Sequence, residues 1–375
     1  MNTVPEDETR RAWVEVDLGA LRRNFAALAQ RAGGASRLVV MLKADGYGLG
    51  AVAVARAVAG SPPWAYGVAT LEEGAELRRA GIEGRIIVFS PCPPMDADAL
   101  AADSLEPAVS SLDALRRFGA AAPGDDPLPV HLEIDTGMGR LGLLAEDARR
   151  WTGEVAEALR DYPLRLASTF THFHSADSDP GATREQERRF RSVLDALRAA
   201  GVDPGRTHAA NSAALLARGP SGHDLARPGI YLYGGGAGDP EPVASVRARV
   251  LDVRTLPAGH PVSYGATWRT EGPARLATLG IGYGDGLRTR LSNRGFVLLG
   301  GRKAPIRGAV CMDVTVVQVA PDSPVAPGDR ATLLGTDGEE RITLAELADA
   351  YDAIDYEVLT GLGGRLSRLY LDPGL

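Results

Sequence analysis

Short apolar runs alternate with stretches of helical period from residue 12 to about residue 231. Trp13 to Asp17 reads as a short strand, and Asp17 is placed to cap a helix over Leu18 to Ala32. Strands are then expected at 37–42, 64–69, 85–89, 106–109, 129–134, 164–171, 206–209 and 224–231. Helices are expected between them at about 51–59, 71–80, 96–101, 111–119, 146–160, 183–200 and 211–217. The clearest is 183–200, with Phe190, Val193, Leu194 and Leu197 on one face. Strands that are apolar on both faces and alternate with helices predict a parallel sheet covered on both sides. Eight of them fit a (β/α)8 TIM barrel better than an open doubly wound sheet. No G-x-G-x-x-G follows the first strand to support that second arrangement.

After Gly234-Gly235-Gly236 the pattern changes to valine-rich strands and Gly/Pro turns. Strands are expected over Ala244–Thr255, Ala274–Leu279, Phe296–Leu299, Lys303–Val310, Thr315–Val319 and Arg330–Leu334, with a helix at Thr343–Ala350. The fold class is therefore α/β, with a barrel over 12–241 followed by a mostly β domain over 242–375.

Composition narrows the function classes. In 375 residues, 45% are hydrophobic and 24% charged, typical of a globular enzyme. A net charge of -7 gives no basic footprint for nucleic acid. Cys92 and Cys311 are too few for a disulfide framework. The first ten or so residues are polar and read as loose. No apolar run is long enough for a signal peptide core or a membrane span. The expected setting is cytoplasmic, with neither nucleic acid nor membrane as partner.

Barrels carry their chemistry at the C-terminal ends of their strands, and the unusual residues fall there. Lys43 and Tyr47 follow the first barrel strand, within Lys43-Ala44-Asp45-Gly46-Tyr47-Gly48. Asp135-Thr136-Gly137-Met138-Gly139-Arg140 follows the fifth, and Thr171-His172-Phe173-His174 ends the sixth. Asn211-Ser212 opens a helix after the seventh, and Arg227-Pro228-Gly229-Ile230 lies at the eighth. A lysine delivered by a buried strand loses water around its charge, which favours the neutral, nucleophilic amine. Ser212 at a helix start and Gly229 make a phosphate cradle. Taken singly, a strand-end lysine is most often a surface residue, a GMGR run a tight turn, and an Asn-Ser pair a helix cap. Five clusters on one rim favour a site. Schiff-base lysine, cradle and arginine suggest pyridoxal phosphate, with a Schiff-base aldolase for phosphorylated sugars as the alternative.

The same residues resemble the alanine racemase family. To those runs are added Val262-Ser263-Tyr264-Gly265, Gly280-Ile281-Gly282-Tyr283, Cys311-Met312-Asp313 and Tyr356-Glu357, all in order. The resemblance runs from about Trp13 to Tyr370. It implies a head-to-tail homodimer in which the β domain completes the partner's active site, and a racemase acting on a small amino acid, alanine. It implies that Lys43 carries pyridoxal phosphate and acts as one acid–base group, with Tyr264 from the partner subunit as the other. Racemisation needs one base on each face of the substrate. Tyr47, Ser212, Gly229, Ile230 and Tyr356 match the phosphate ligands. Arg227 matches the arginine on the pyridine nitrogen, and Asn211 and His172 belong to the same cofactor set. Arg140 and the Met312 backbone match the substrate carboxylate site, with Glu133, Asp313 and Tyr283 in support. D-Alanine for the cell wall is the implied product.

Departures from the family pattern sharpen the expectation. Glu133 stands where a carbamylated lysine is common, and is expected to pair with Arg140 directly. Leu49 replaces a usual histidine, and His174 a usual small residue. Arg288-Thr289 replaces a Pro-Arg of the substrate corridor, so a racemase of broader specificity, serine included, is the alternative. A non-catalytic pyridoxal-phosphate-binding barrel is the third reading, and the β domain with Tyr264 and Met312 argues against it.

Overall fold

The computed structural model describes residues 10–93, 97–122 and 126–372. The loose start expected over the first ten residues lies almost wholly outside that range. The chain begins with β1 (Ala12–Asp17) and a helix, Leu18–Ala32. Asp17 Oδ1 accepts the Ala20 N–H at 2.8 Å, so the expected cap is formed. The chain then winds through β2 (Val39–Met41), β3 (Ala65–Val68), β4 (Arg85–Val88), β5 (Leu105–Val109), β6 (Leu128–Asp135), β7 (Leu143–Leu144), β8 (Leu164–Phe170) and β9 (Arg206–His208). These pair parallel in the order β2-β3-β4-β5-β6-β8-β9, with β7 a short branch on β6.

Closure comes from single bridges. Leu38 pairs with Ala226 and His208 with Leu225, both parallel. The Ala226 N–H donates to Arg37 O and the Arg227 N–H to Ala210 O, so residues 224–228 fill the eighth position of a (β/α)8 barrel. The strand expected over 224–231 is therefore not a regular one. Pro228 has no N–H to continue a ladder, and Ile230–Tyr233 coils into a 3-10 turn. The helix expected at 183–200 runs Pro180–Ala199. Proline at its first turn is tolerated, and Asp179 caps it. Of the helix expected at 96–101, observed as Ala97–Ala102, residue 96 lies outside the described residues.

The remaining strands are β10 (Ala244–Leu256), β11 (Pro261–Val262), β12 (Trp268–Arg269), β13 (Ala274–Leu279), β14 (Phe296–Leu299), β15 (Arg302–Pro305), β16 (Thr315–Val319), β17 (Arg330–Asp337), β18 (Glu340–Ile342) and β19 (Ser367–Leu371). The strand expected over Lys303–Val310 stops at Pro305, with only a bridge from Ile306 to Val317 beyond. β10 is the spine of this sheet, antiparallel to β1, β13 and β17.

By internal contacts the chain forms two compact units. One holds Asn24–Gly46 and Ala51–Leu232; the other holds Tyr47–Gly50, Tyr233 onward and the chain up to Arg23. By these contacts β1 groups with the strands from Ala244 onward. The reason is pairing: β1 lies between β10 and β19.

Candidate functional site

In the barrel unit Lys43 follows β2 and opens a turn unlike any ordinary helix. Ala44, Asp45, Gly46 and Tyr47 have φ of 54°, 50°, 59° and 56°, one turn of left-handed helix. For residues with a Cβ this costs roughly 1–2 kcal/mol each, so other bonds must hold it. Glu73 does so: its carboxylate accepts the N–H of Ala44 (2.7 Å), Ala69 (2.7 Å) and Thr70 (3.3 Å). Asp45 accepts the Ala51 N–H at 2.8 Å. Burial holds the Lys43 amine below the usual lysine range, and the positive fields of Arg140 and Arg227 lower it further.

Arg227 is buried, with four hydrogen bonds. One guanidinium nitrogen donates to His208 Nδ1 and to His208 O (3.1 Å), the other to Thr171 O (2.6 Å) and His172 Nδ1 (3.2 Å). Burial brings its pKa down to about 10, leaving the cation intact at neutral pH. Burial first, then Arg227, Arg140 and Lys43, push His172 down to about 3, so it is neutral. This explains why it can accept from Arg227.

The Asp135 turn presents Arg140. Asp135 Oδ1 accepts the N–H of Gly137 (2.8 Å) and Met138 (2.9 Å), and Oδ2 accepts that of Gly139 (2.9 Å). Gly142, at φ +114°, lets the turn close: a Cβ there would lie 2.6 Å from Asp135 N. Glu133, buried on β6, feels Arg140 and Arg227 through space, while burial raises its carboxyl above the usual range. Among the described residues it makes no direct ion pair with Arg140. The expected pair is corrected: Arg140 sits out in the exposed turn, while Glu133 stays inside the strand. At the cradle the Gly229 N–H donates to Ser212 Oγ at 2.9 Å, and Asn211 caps the following helix through Ala214 N at 3.0 Å.

In the second unit Tyr47 stacks on Tyr233 with centroids 4.4 Å apart, and lies 5.9 Å from Tyr356. Burial pushes the Tyr47 phenol up, so it is a hydroxyl donor at neutral pH. Tyr264 begins a 3-10 turn and is 75% exposed. Ser263 before it has φ 63°, held by its hydroxyl donating to Ala309 O at 2.5 Å. Met312 is half exposed; its carbonyl accepts the Gly284 N–H at 2.9 Å, and the Tyr283 N–H donates to Cys311 O at 2.9 Å. Asp313 pairs with Arg365 at 2.8 Å, and Arg365 and Arg11 meet on buried Asp285 at 3.0 and 2.6 Å. Arg288 and Arg290 pair with Glu357 (3.6 Å) and Asp352 (2.9 Å).

Sequence reasoning missed Glu73, His208, Tyr233 and Asp285. Only Glu73 left a local trace, as the fourth residue of the capping box Thr70-Leu71-Glu72-Glu73.

A barrel-borne lysine whose amine burial and two arginines hold below its usual range, with a fixed guanidinium and a serine–amide cradle, defines a Schiff-base enzyme built for an anionic cofactor. Residues 16–237 match the family model of the alanine racemase N-terminal domain, and residues 243–370 that of the C-terminal domain. The chain belongs to the alanine racemase family. It is 41% identical over 381 residues to the alanine racemase of Symbiobacterium thermophilum, covering 97% of this chain and 98% of that protein. The crystal structure of alanine racemase from Streptomyces lavendulae, a D-cycloserine producer, superposes with TM-score 0.91 at 36% identity, covering 97% and 98% of the two chains. That from Bartonella henselae, with covalently bound pyridoxal phosphate, superposes with TM-score 0.86 at 27% identity, covering 96% and 100%.

Proposed function

We propose that this protein interconverts L- and D-alanine with pyridoxal phosphate. The observation that carries the reading is the Lys43 amine, held below the lysine range by burial and two arginines, in one unit with a buried Arg227 whose two terminal nitrogens are fixed by four acceptors. The residues fit the cofactor: an amine for its aldehyde, a cation for its ring nitrogen, and a cradle for its phosphate. When bound, the cofactor withdraws electrons from the substrate's Cα and acidifies the α-proton.

The chain's own groups do the rest. Lys43 holds or accepts the α-proton on one face. Tyr264 of the partner subunit does so on the other, which is why the protein works as a homodimer. Arg227 keeps its protons, so the ring nitrogen stays unprotonated and side reactions are limited. Tyr47, Ser212, Gly229, Ile230 and Tyr356 bind the phosphate, and Asn211 and His172 support the cofactor. Arg140 and the Met312 backbone N–H orient the substrate carboxylate, with Glu133, Asp313 and Tyr283 behind them. The β domain, 242–375, completes the partner's site.

Among the described residues no helix is long and apolar enough to cross a membrane. The setting proposed is cytoplasmic and the substrate a small amino acid. Purified protein loaded with pyridoxal phosphate is expected to convert L-alanine to a mixture of both enantiomers, read by chiral chromatography. A panel in which serine or another amino acid turned over faster than alanine would sink the assignment of alanine.

A further inference from the structure

Behind Arg227, across the barrel interior, runs a continuous line of polar side chains from four neighbouring strands. His208 Nε2 lies 2.9 Å from Ser168 Oγ. Ser168 Oγ lies 2.6 Å from His131 Nδ1. His131 Nε2 lies 2.9 Å from Glu106 Oε2. Glu106 is in turn paired with Arg85 at 2.8 Å, whose guanidinium covers the Trp64 ring at 4.4 Å. His131, Ser168 and His208 have no exposed surface at all. A buried line of this kind is costly unless every donor meets an acceptor.

Its two ends fix its direction. A guanidinium only donates, so His208 Nδ1 must accept from Arg227. A neutral imidazole then carries its proton on Nε2 and donates it to Ser168. The serine hydroxyl, having accepted, donates to His131 Nδ1. His131 again carries its proton on Nε2 and gives it to Glu106, which as a carboxylate only accepts. Each bond has one donor and one acceptor. A charged His131 would break this, because Ser168 would receive two protons and its own would have no partner. Burial also disfavours the charged form of both histidines.

We infer that Glu106, His131 and Ser168 are positioning residues for the reaction: they lock His208 in its Nδ1-accepting tautomer and so hold the Arg227 cation in one orientation. This rests on the assignment of Arg227 to the cofactor's ring nitrogen. None of the three touches the reacting atoms. Because the line is unidirectional, no single proton can move along it without reversing every bond.

The test is nitrogen-15 NMR of the six histidines in the cofactor-loaded protein, with Ser168→Thr and Ser168→Val compared. The two replacements share one shape, and only threonine keeps the hydroxyl. The wild type and Ser168→Thr are expected to hold His131 and His208 neutral with the proton on Nε2. Ser168→Val is expected to show His208 in both tautomers, with kcat for L-alanine down about tenfold or more and KM changed less than about twofold. A proton on Nδ1 of either histidine in the wild type overturns the inference, as does a Ser168→Val protein indistinguishable from Ser168→Thr. Arg227→Lys separates the two claims. If it leaves the cofactor's visible absorbance unchanged, the assignment of Arg227 fails, while the wild-type tautomers still judge the line.

Discussion

His131, His172 and His208 are all held neutral below their ordinary pKa, chiefly by burial. The unfolded chain takes up protons at these positions as pH falls through about 6.5, and the folded one only at lower pH. Unfolded protein then binds more protons than native, so stability must fall with falling pH. His172, held down to about 3, contributes about 1.4 kcal/mol per pH unit between about 6.5 and that value, and His131 and His208 add to the loss in the same direction. Urea unfolding is expected to show near-constant stability above pH 7.5 and a loss below 6.5 steeper than one histidine gives. A curve flat down to pH 5 would contradict the neutral assignments. At the same scale, Lys43→Ala is expected to lose the visible absorbance of bound cofactor, while Tyr264→Phe keeps it and loses conversion of the L-enantiomer. Full activity in Tyr264→Phe would remove it from the pair of bases. Lys43 and Tyr264 stand out in the sequence because their runs match the family pattern. His208 was not, since a Thr-His at a strand end carries no local mark of the arginine it meets.

Among elements, the left-handed turn after β2 is the part that sequence could only half describe. Asp45, Gly46 and Gly48 announced unusual backbone, but Ala44 and Tyr47 have ordinary side chains and still take positive φ. What holds them is a carboxylate about thirty residues on in the chain, and a local pattern cannot show that. Glu73→Ala removes the acceptor of three N–H groups. It is expected to cost about 1–3 kcal/mol of stability and to weaken cofactor retention, measured by unfolding and by absorbance after dialysis. Glu73→Gln, which keeps one acceptor oxygen, should lie between. Equal retention in wild type and Glu73→Ala would show that the turn holds itself. The regular strands β3 to β6 and β8 were legible because their runs are mostly apolar and alternate with helical stretches; the two-residue β7 was not expected. The eighth was overread: Leu225-Ala226 and Ile230-Tyr231 are apolar, but Pro228 and the following coil leave only bridges.

For the whole molecule, the proposed sharing of sites has a sharp signature. Lys43→Ala and Tyr264→Phe proteins should each be inactive alone. Dissociated and reassociated together, half the dimers are mixed, and each mixed dimer has one intact site. About a quarter of wild-type activity should return. No recovery on mixing would place both groups in one chain.

The position of β1 bears on how the protein is made. β1 leaves the ribosome well before its neighbours, which begin at Ala244 and Ser367. At about 5–20 residues per second the nearer one follows only after roughly 10–45 seconds. Through that interval the Ala12–Val16 edge, largely apolar, has no strand to pair with, while the barrel strands from β2 onward emerge beside their own neighbours. Synthesis thus favours an early barrel and a late β unit that tethers the first strand to the last. A nascent chain stalled before residue 244 should hold a protease-resistant barrel and a cleavable N-terminus.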